Sequence, residues 1–191
     1  MNKKLLFFSL LCLFCTKNLI AGNPVSVKSG EASVLKRSSN ALLEIDYSSA
    51  IFGEETLDEY LQRRGDDFVK GWLQLKASYN DIFIERFNKK SKRMKLLTDA
   101  TDASSVSYKF VIHVDRINLG SGVRAALLFP IYSSAGAAIM SGTIDIIDLT
   151  TNEIVCTLFV DKVKGTAIGV YEEVRLGTMF YELATIICKL K

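Results

Sequence analysis

The chain has 191 residues, a formal net charge of +3, one histidine and four cysteines. Three of its cations, Lys3, Lys4 and Lys17, lie in the first 21 residues with no acid among them, so the remainder is near neutral and gives no global electrostatic case for nucleic acid. A lone histidine, His113, argues against the usual nitrogen-and-sulfur zinc set, and four cysteines are too few to build a disulfide scaffold.

In chain order, Met1-Asn2-Lys3-Lys4 opens onto the apolar run Leu5 to Phe14, interrupted only by Ser9. Two cations ahead of such a run make a secretory signal peptide, and the run falls short of the roughly 20 apolar residues that a spanning anchor needs. Small Ala21 places cleavage after residue 21, with Gly22 as the alternative. Leu11 and Phe14, both bulky, precede Cys12 and Cys15, which argues against lipidation. Residues 22–40 lack a clear period and read as a flexible lead-in or weakly fixed edge. A single domain then covers 41–191.

That domain starts with Leu43, Ile45 and Tyr47 alternating with polar residues, a half-buried strand. Thr56 and Glu59 form a capping box, and Leu57, Leu61, Phe68, Trp72, Leu75, Tyr79, Ile82 and Phe87 carry a helical stripe for about thirty residues. Gly65 is a weak point in this stripe. Because the phase runs through it, one long helix is expected. Met94–Thr98 reads as a short strand and Val106–Leu119 as a long one, with Phe110, Ile112 and Val114 on one face and Val111, His113, Asp115 and Ile117 on the other. Thr143–Asp148 and Ile154–Val160 form a hairpin through Thr150-Thr151-Asn152-Glu153, its second strand lining up Ile154, Cys156, Leu158 and Val160. A helix closes the chain from about Val170 to Leu190. The predicted fold is α+β: a two-layer sandwich, with a largely antiparallel sheet of about four to five strands packed against a long helix and a C-terminal helix. Cys156 and Cys188 read as two buried free thiols, with one disulfide as the alternative.

Motifs for chemistry are few. Gly120-Ser121-Gly122-Val123-Arg124-Ala125 matches the dinucleotide glycine pattern, but Pro130 stops any helix that follows, and the mechanism needs that helix to meet the pyrophosphate. It reads as a loop. His113 and Asp115, on one strand face, form the pair around which a hydrolase would be built, although no nucleophile accompanies them. The sequence therefore offers no catalytic, cofactor-binding or metal-ligating residue. Two segments remain as contact candidates. Arg86, Lys89, Lys90, Lys92, Arg93 and Lys95 cluster at a helix C-terminus, where cations complement the macrodipole and could also meet an anionic surface. Residues 119–142 hold one charge, Arg124, in 24 positions, and Leu127, Leu128, Phe129, Ile131 and Tyr132 suit the chain's own core, a partner or a membrane.

The order of elements, and above all the hairpin Asp148-Leu149-Thr150-Thr151-Asn152-Glu153-Ile154-Val155, resembles small bacterial envelope α/β domains related to the curli-secretion channel subunit and to lipoprotein activators of penicillin-binding proteins. The resemblance spans about 41–190. It implies a non-catalytic protein of the periplasm or outer-membrane periphery of a Gram-negative bacterium. Such a protein acts as a binding or assembly accessory factor for a larger envelope complex, with an envelope protein or copies of itself as partners and peripheral membrane contact as an option. An oligomeric outer-membrane component of secretion or pore type is the alternative, and a hydrolase a more distant one.

Overall fold

Long alternating strands set the architecture. The computed structural model describes residues 23–99, 105–122, 136–166 and 171–190; the leader expected over 1–21 lies outside them. β1 is Val25–Gly30, followed by a 3₁₀ turn over Ala32–Lys36, β2 (Asn40–Asp46), β3 (Ile51–Phe52) and β4 (Glu55–Thr56). Two helices come next, α1 (Leu57–Arg64) and α2 (Asp66–Lys90), then β5 (Lys95–Leu97), β6 (Val106–Asn118), β7 (Ile139–Asp148), β8 (Glu153–Lys164) and α3 (Glu172–Ile187). The strands form one sheet in the order β1-β8-β7-β6-β2-β5, with β3 beside β6 and β4 beside β3.

The α+β sandwich holds, with more strands than the four or five expected. β1 adds an edge strand inside the lead-in, pairing antiparallel with β8. The sheet is mixed: β2 runs parallel to both β6 and β5, because α1 and α2 carry the chain back between β2 and β5 as a crossover. The β7–β8 hairpin and the β6–β7 pair are antiparallel. Phe110, Ile112, Val114, Ile144, Ile146, Leu158 and Val160 turn one face of the sheet inward, where Phe83, Phe87, Phe180 and Leu183 from the helices meet it.

Three local expectations change. The long helix is broken at Gly65, whose φ of 90° and ψ of 168° end α1 and start α2. A residue with a Cβ is strained there, so the sequence stripe keeps its phase across a real break. Ile117 lies in the core rather than on the His113 face, because Asp115 is an extra residue between the pairs Val114–Gly142 and Arg116–Ser141. Such a bulge shifts side-chain parity by one. A second register shift, at Val155, pairs Ile154 with Ile147 and Cys156 with Ile146, leaving Ile154 57% exposed. The capping box is formed as expected: Glu59 N–H donates to Thr56 Oγ1, and Thr56 N–H donates to Glu59 Oε2 at 2.8 Å.

α2 and α3 run parallel along the inner face. Contacts advance together, from Ile82 close to Gly177, through Arg86 bonded to Thr185, to Phe87 bonded to Cys188. Both helices thus end at the same edge of the molecule.

Candidate functional site

On the outer face of the sheet, His113 is held between two carboxylates. Its Nδ1 is 3.2 Å from Asp46 Oδ2 and its Nε2 is 3.3 Å from Asp145 Oδ2, while Thr157 Oγ1 donates to Asp145 Oδ1 at 2.7 Å. The Ser48 backbone N–H and then its hydroxyl hold the Asp46 carboxyl below the usual carboxylate range, with His113 adding to the effect. Asp115, the expected partner, sits on the bulge, exposed. Both imidazole nitrogens face acids. The row ties β2, β6, β7 and β8 together.

The basic cluster divides into two kinds of cation. Lys95 Nζ donates to the Asn88 and Ser91 carbonyls at 2.7 and 2.8 Å, closing the C-terminal turn of α2. Arg86 Nε donates to Thr185 Oγ1 at 2.7 Å, and its guanidinium lies 4.0 Å above the Tyr181 ring. These two serve the fold. Lys89, Lys90, Lys92 and Arg93 are exposed, and among the described residues none of the four has a recorded ion pair. Lys90, Lys92 and Arg93 join Lys36, from the 3₁₀ turn, around a cavity of about 380 Å³ floored by Leu35, Phe87, Ile187 and Leu190. Arg93 is fixed there by a bond from Nη1 to the Lys36 carbonyl at 3.1 Å. Sequence reasoning found the lysine run but not Lys36 or the apolar floor, which come from distant segments.

A larger groove, of about 630 Å³, runs between α2 and α3. Leu75, Ser78, Tyr79 and Ile82 form one wall and Val174, Gly177, Thr178 and Tyr181 the other. Each wall repeats at three- and four-residue steps, the spacing by which a helix faces a neighbour. Ser78, Gly177 and Thr178 are small, which lets another backbone come close. Among the described residues the groove also holds two acids, Glu173 and Glu182, and no lysine or arginine. Glu173 pairs with Arg64 at 2.9 Å; Glu182 has no recorded partner among the described residues. The Tyr79 hydroxyl is buried with no hydrogen-bond partner among the described residues, and burial, ahead of the nearby Glu173 and Glu172 charges, pushes its pKa up.

The remaining candidates separate. Arg124, Leu127, Leu128, Phe129, Ile131 and Tyr132 lie outside the described residues. The glycine pattern begins at Gly120, φ 71°, where an added Cβ would come 2.1 Å from the Gly136 carbonyl, and Ser121 N–H donates to that same oxygen at 2.9 Å. Gly120 therefore serves a close backbone approach. Cys156 and Cys188 are both free, Cys156 buried and Cys188 half-buried. Burial pushes the Cys188 thiol up to about 11, outweighing Arg86, Lys90 and Lys95. Among the described residues no cluster of three potential metal ligands occurs, and no helix is long and apolar enough to cross a membrane.

No family model matches the chain, and no curated protein matches it. Among solved structures, a PelC dodecamer from Paraburkholderia phytofirmans gives a TM-score of 0.43 at 13% identity, covering 84% of this chain and 96% of that one. A variant PelC dodecamer in a second crystal form gives 0.42 at 14% identity, over 87% and 98%. A neuraminyllactose-binding hemagglutinin homolog from Helicobacter pylori gives 0.33 at 15% identity, over 81% and 83%. Likeness at this distance does not transfer a function.

Proposed function

We propose that this chain is a non-catalytic, exported protein of the bacterial envelope that works as a binding or assembly accessory factor, as the resemblance of its hairpin implies. The observation that carries the binding role is the groove between α2 and α3. Two parallel helices present matched apolar walls, with small residues between them and no third element in place among the described residues. Left in water, such a surface costs free energy that a docked apolar face would recover. The acidic rim selects the occupant: an amphipathic helix of a partner protein, apolar at helical spacing and carrying a basic residue opposite Glu182.

The test is site-specific photo-crosslinking in the native host, with the probe at Leu75 or Val174 in the groove and at Ile154 on the sheet as control. The expected result is one protein captured from both groove positions and not from Ile154. The crosslinked peptide should be helical, apolar at three- and four-residue steps, and basic at its flank. Val174→Lys should abolish capture while leaving the melting temperature unchanged. Capture only of the chain itself would replace the accessory role with a homo-oligomer, and capture equal at all three positions would sink the groove as a docking site.

A further inference from the structure

We propose that the cation-rimmed cavity at the shared C-terminal edge of α2 and α3 binds the phosphate-bearing headgroup of an anionic lipid. This rests on a different part of the molecule from the docking groove and stands or falls separately.

Four cations reach this cavity from three segments: Lys36 from the 3₁₀ turn, Lys90 from the last turn of α2, and Lys92 and Arg93 from the loop before β5. A helix C-terminus favours nearby positive charge, but that need is met closer in by Lys95, which bonds two of the terminal carbonyls directly. The other cations exceed what the dipole requires. Among the described residues no carboxylate lines the cavity, and an anion from outside would relieve their mutual repulsion. The Arg93 side chain is already oriented by its bond to Lys36, so its remaining donors are placed before an anion arrives.

The floor decides between a lipid and a soluble anion. Leu35, Phe87, Ile187 and Leu190 form an apolar base under the cationic rim. Phe87 and Ile187 are already buried by the fold, so inorganic phosphate would engage the cations alone, whereas a phospholipid sets its phosphate at the rim and its glycerol and first acyl carbons against Leu190 and the lysine stems. Lysine stems suit such a boundary, because their methylenes lie along apolar surface while the ammonium stays at the headgroup. The volume, about 380 Å³, falls in the range of small-ligand sites.

The experiment is co-sedimentation of the exported protein, purified from its host, with vesicles of phosphatidylcholine alone or of phosphatidylcholine containing phosphatidylglycerol. Binding is expected only with phosphatidylglycerol and should collapse as salt rises toward about 1 M, where charges are screened within a few ångströms. Each cation removed should weaken binding roughly fivefold, so Lys90→Ala with Lys92→Ala costs roughly 25-fold. Lys28→Ala with Lys164→Ala, two exposed cations elsewhere, should change it little, and thermal melts check that every variant is folded. Equal binding to both vesicle types, or full binding by the Lys90/Lys92 variant, would overturn the proposal. Complete competition by millimolar inorganic phosphate would overturn the lipid assignment in favour of a soluble anion. Groove crosslinks are untouched by any of these results.

Discussion

The helical layer finishes differently at its two ends. Where α1 meets α2 and α3 begins, the Tyr60 hydroxyl donates to Glu172, and Arg64 reaches both Glu172 and Glu173. The acids also sit in the first turn of α3, where the helix dipole favours them. Tyr60 itself is fully buried and stacks on Phe52 at 4.7 Å between centroids. At the opposite end, Lys36, Lys90 and Lys92 point charge at a cavity with no acid in its lining among the described residues. Charges that answer one another inside a chain add to its folding, while charges left unanswered are available to something else. The first end is built for stability, and the second is the end at which we propose contact.

The strongest way to break this comparison is at the closed end. Tyr60→Ala removes a fully buried ring together with the donor to Glu172, and should destabilise the protein by about 3–5 kcal/mol, read from urea or guanidinium denaturation. A loss under about 1 kcal/mol would mean that this end does not anchor the layer. Gly65→Ala tests the hinge that brings Tyr60 and Arg64 to α3. A side chain forced into a φ of 90° should cost about 1–3 kcal/mol, and an unchanged denaturation midpoint would show that α1 and α2 can fuse. The mildest probe lies at the open end. Iodoacetamide should alkylate Cys188 at pH 7.5 more slowly than a free thiol by roughly two orders of magnitude, with the rate rising about tenfold per pH unit until the thiol titrates near 11. Mass spectrometry of the labelled peptide follows it. A Cys188 that titrates below the ordinary thiol range would show that the lysines, not burial, set the potential at this end.

Features that depend on near neighbours were legible in the sequence. The Thr56–Glu59 capping box closes within one turn, and the Phe110, Ile112, Val114 alternation needs only a period of two. The β7–β8 hairpin likewise declares itself through its turn. What escaped is whatever shifts a period or joins distant segments. Asp115 and Val155 each add one residue to a strand, and no local signal marks either, so Ile117 and Ile154 exchange the faces expected of them. β1 was hidden because only Val25 of its six residues is buried. Asp46 and Asp145 meet His113, and Thr157 meets Asp145, only through strand register. Lys36 and Arg93 stand 57 positions apart and share a cavity only once the 3₁₀ turn folds beside the end of α2. The groove escaped for a subtler reason: Leu75, Tyr79 and Ile82 carry the same helical stripe as the core residues, and nothing in such a stripe says whether a third helix covers part of it.

One pairing also governs how the chain can reach this state. Val25, near the start of the described chain, lies against Val160 in β8, and β2 lies against β6. Neither partnership is available until most of the polypeptide is present. A growing chain can form α1 and α2 early, but its first strands must wait with their edges unpaired. A topology so rich in non-local contacts folds more slowly than a helical bundle of similar size. The interval before β8 joins is therefore when this protein is most exposed to aggregation and proteolysis.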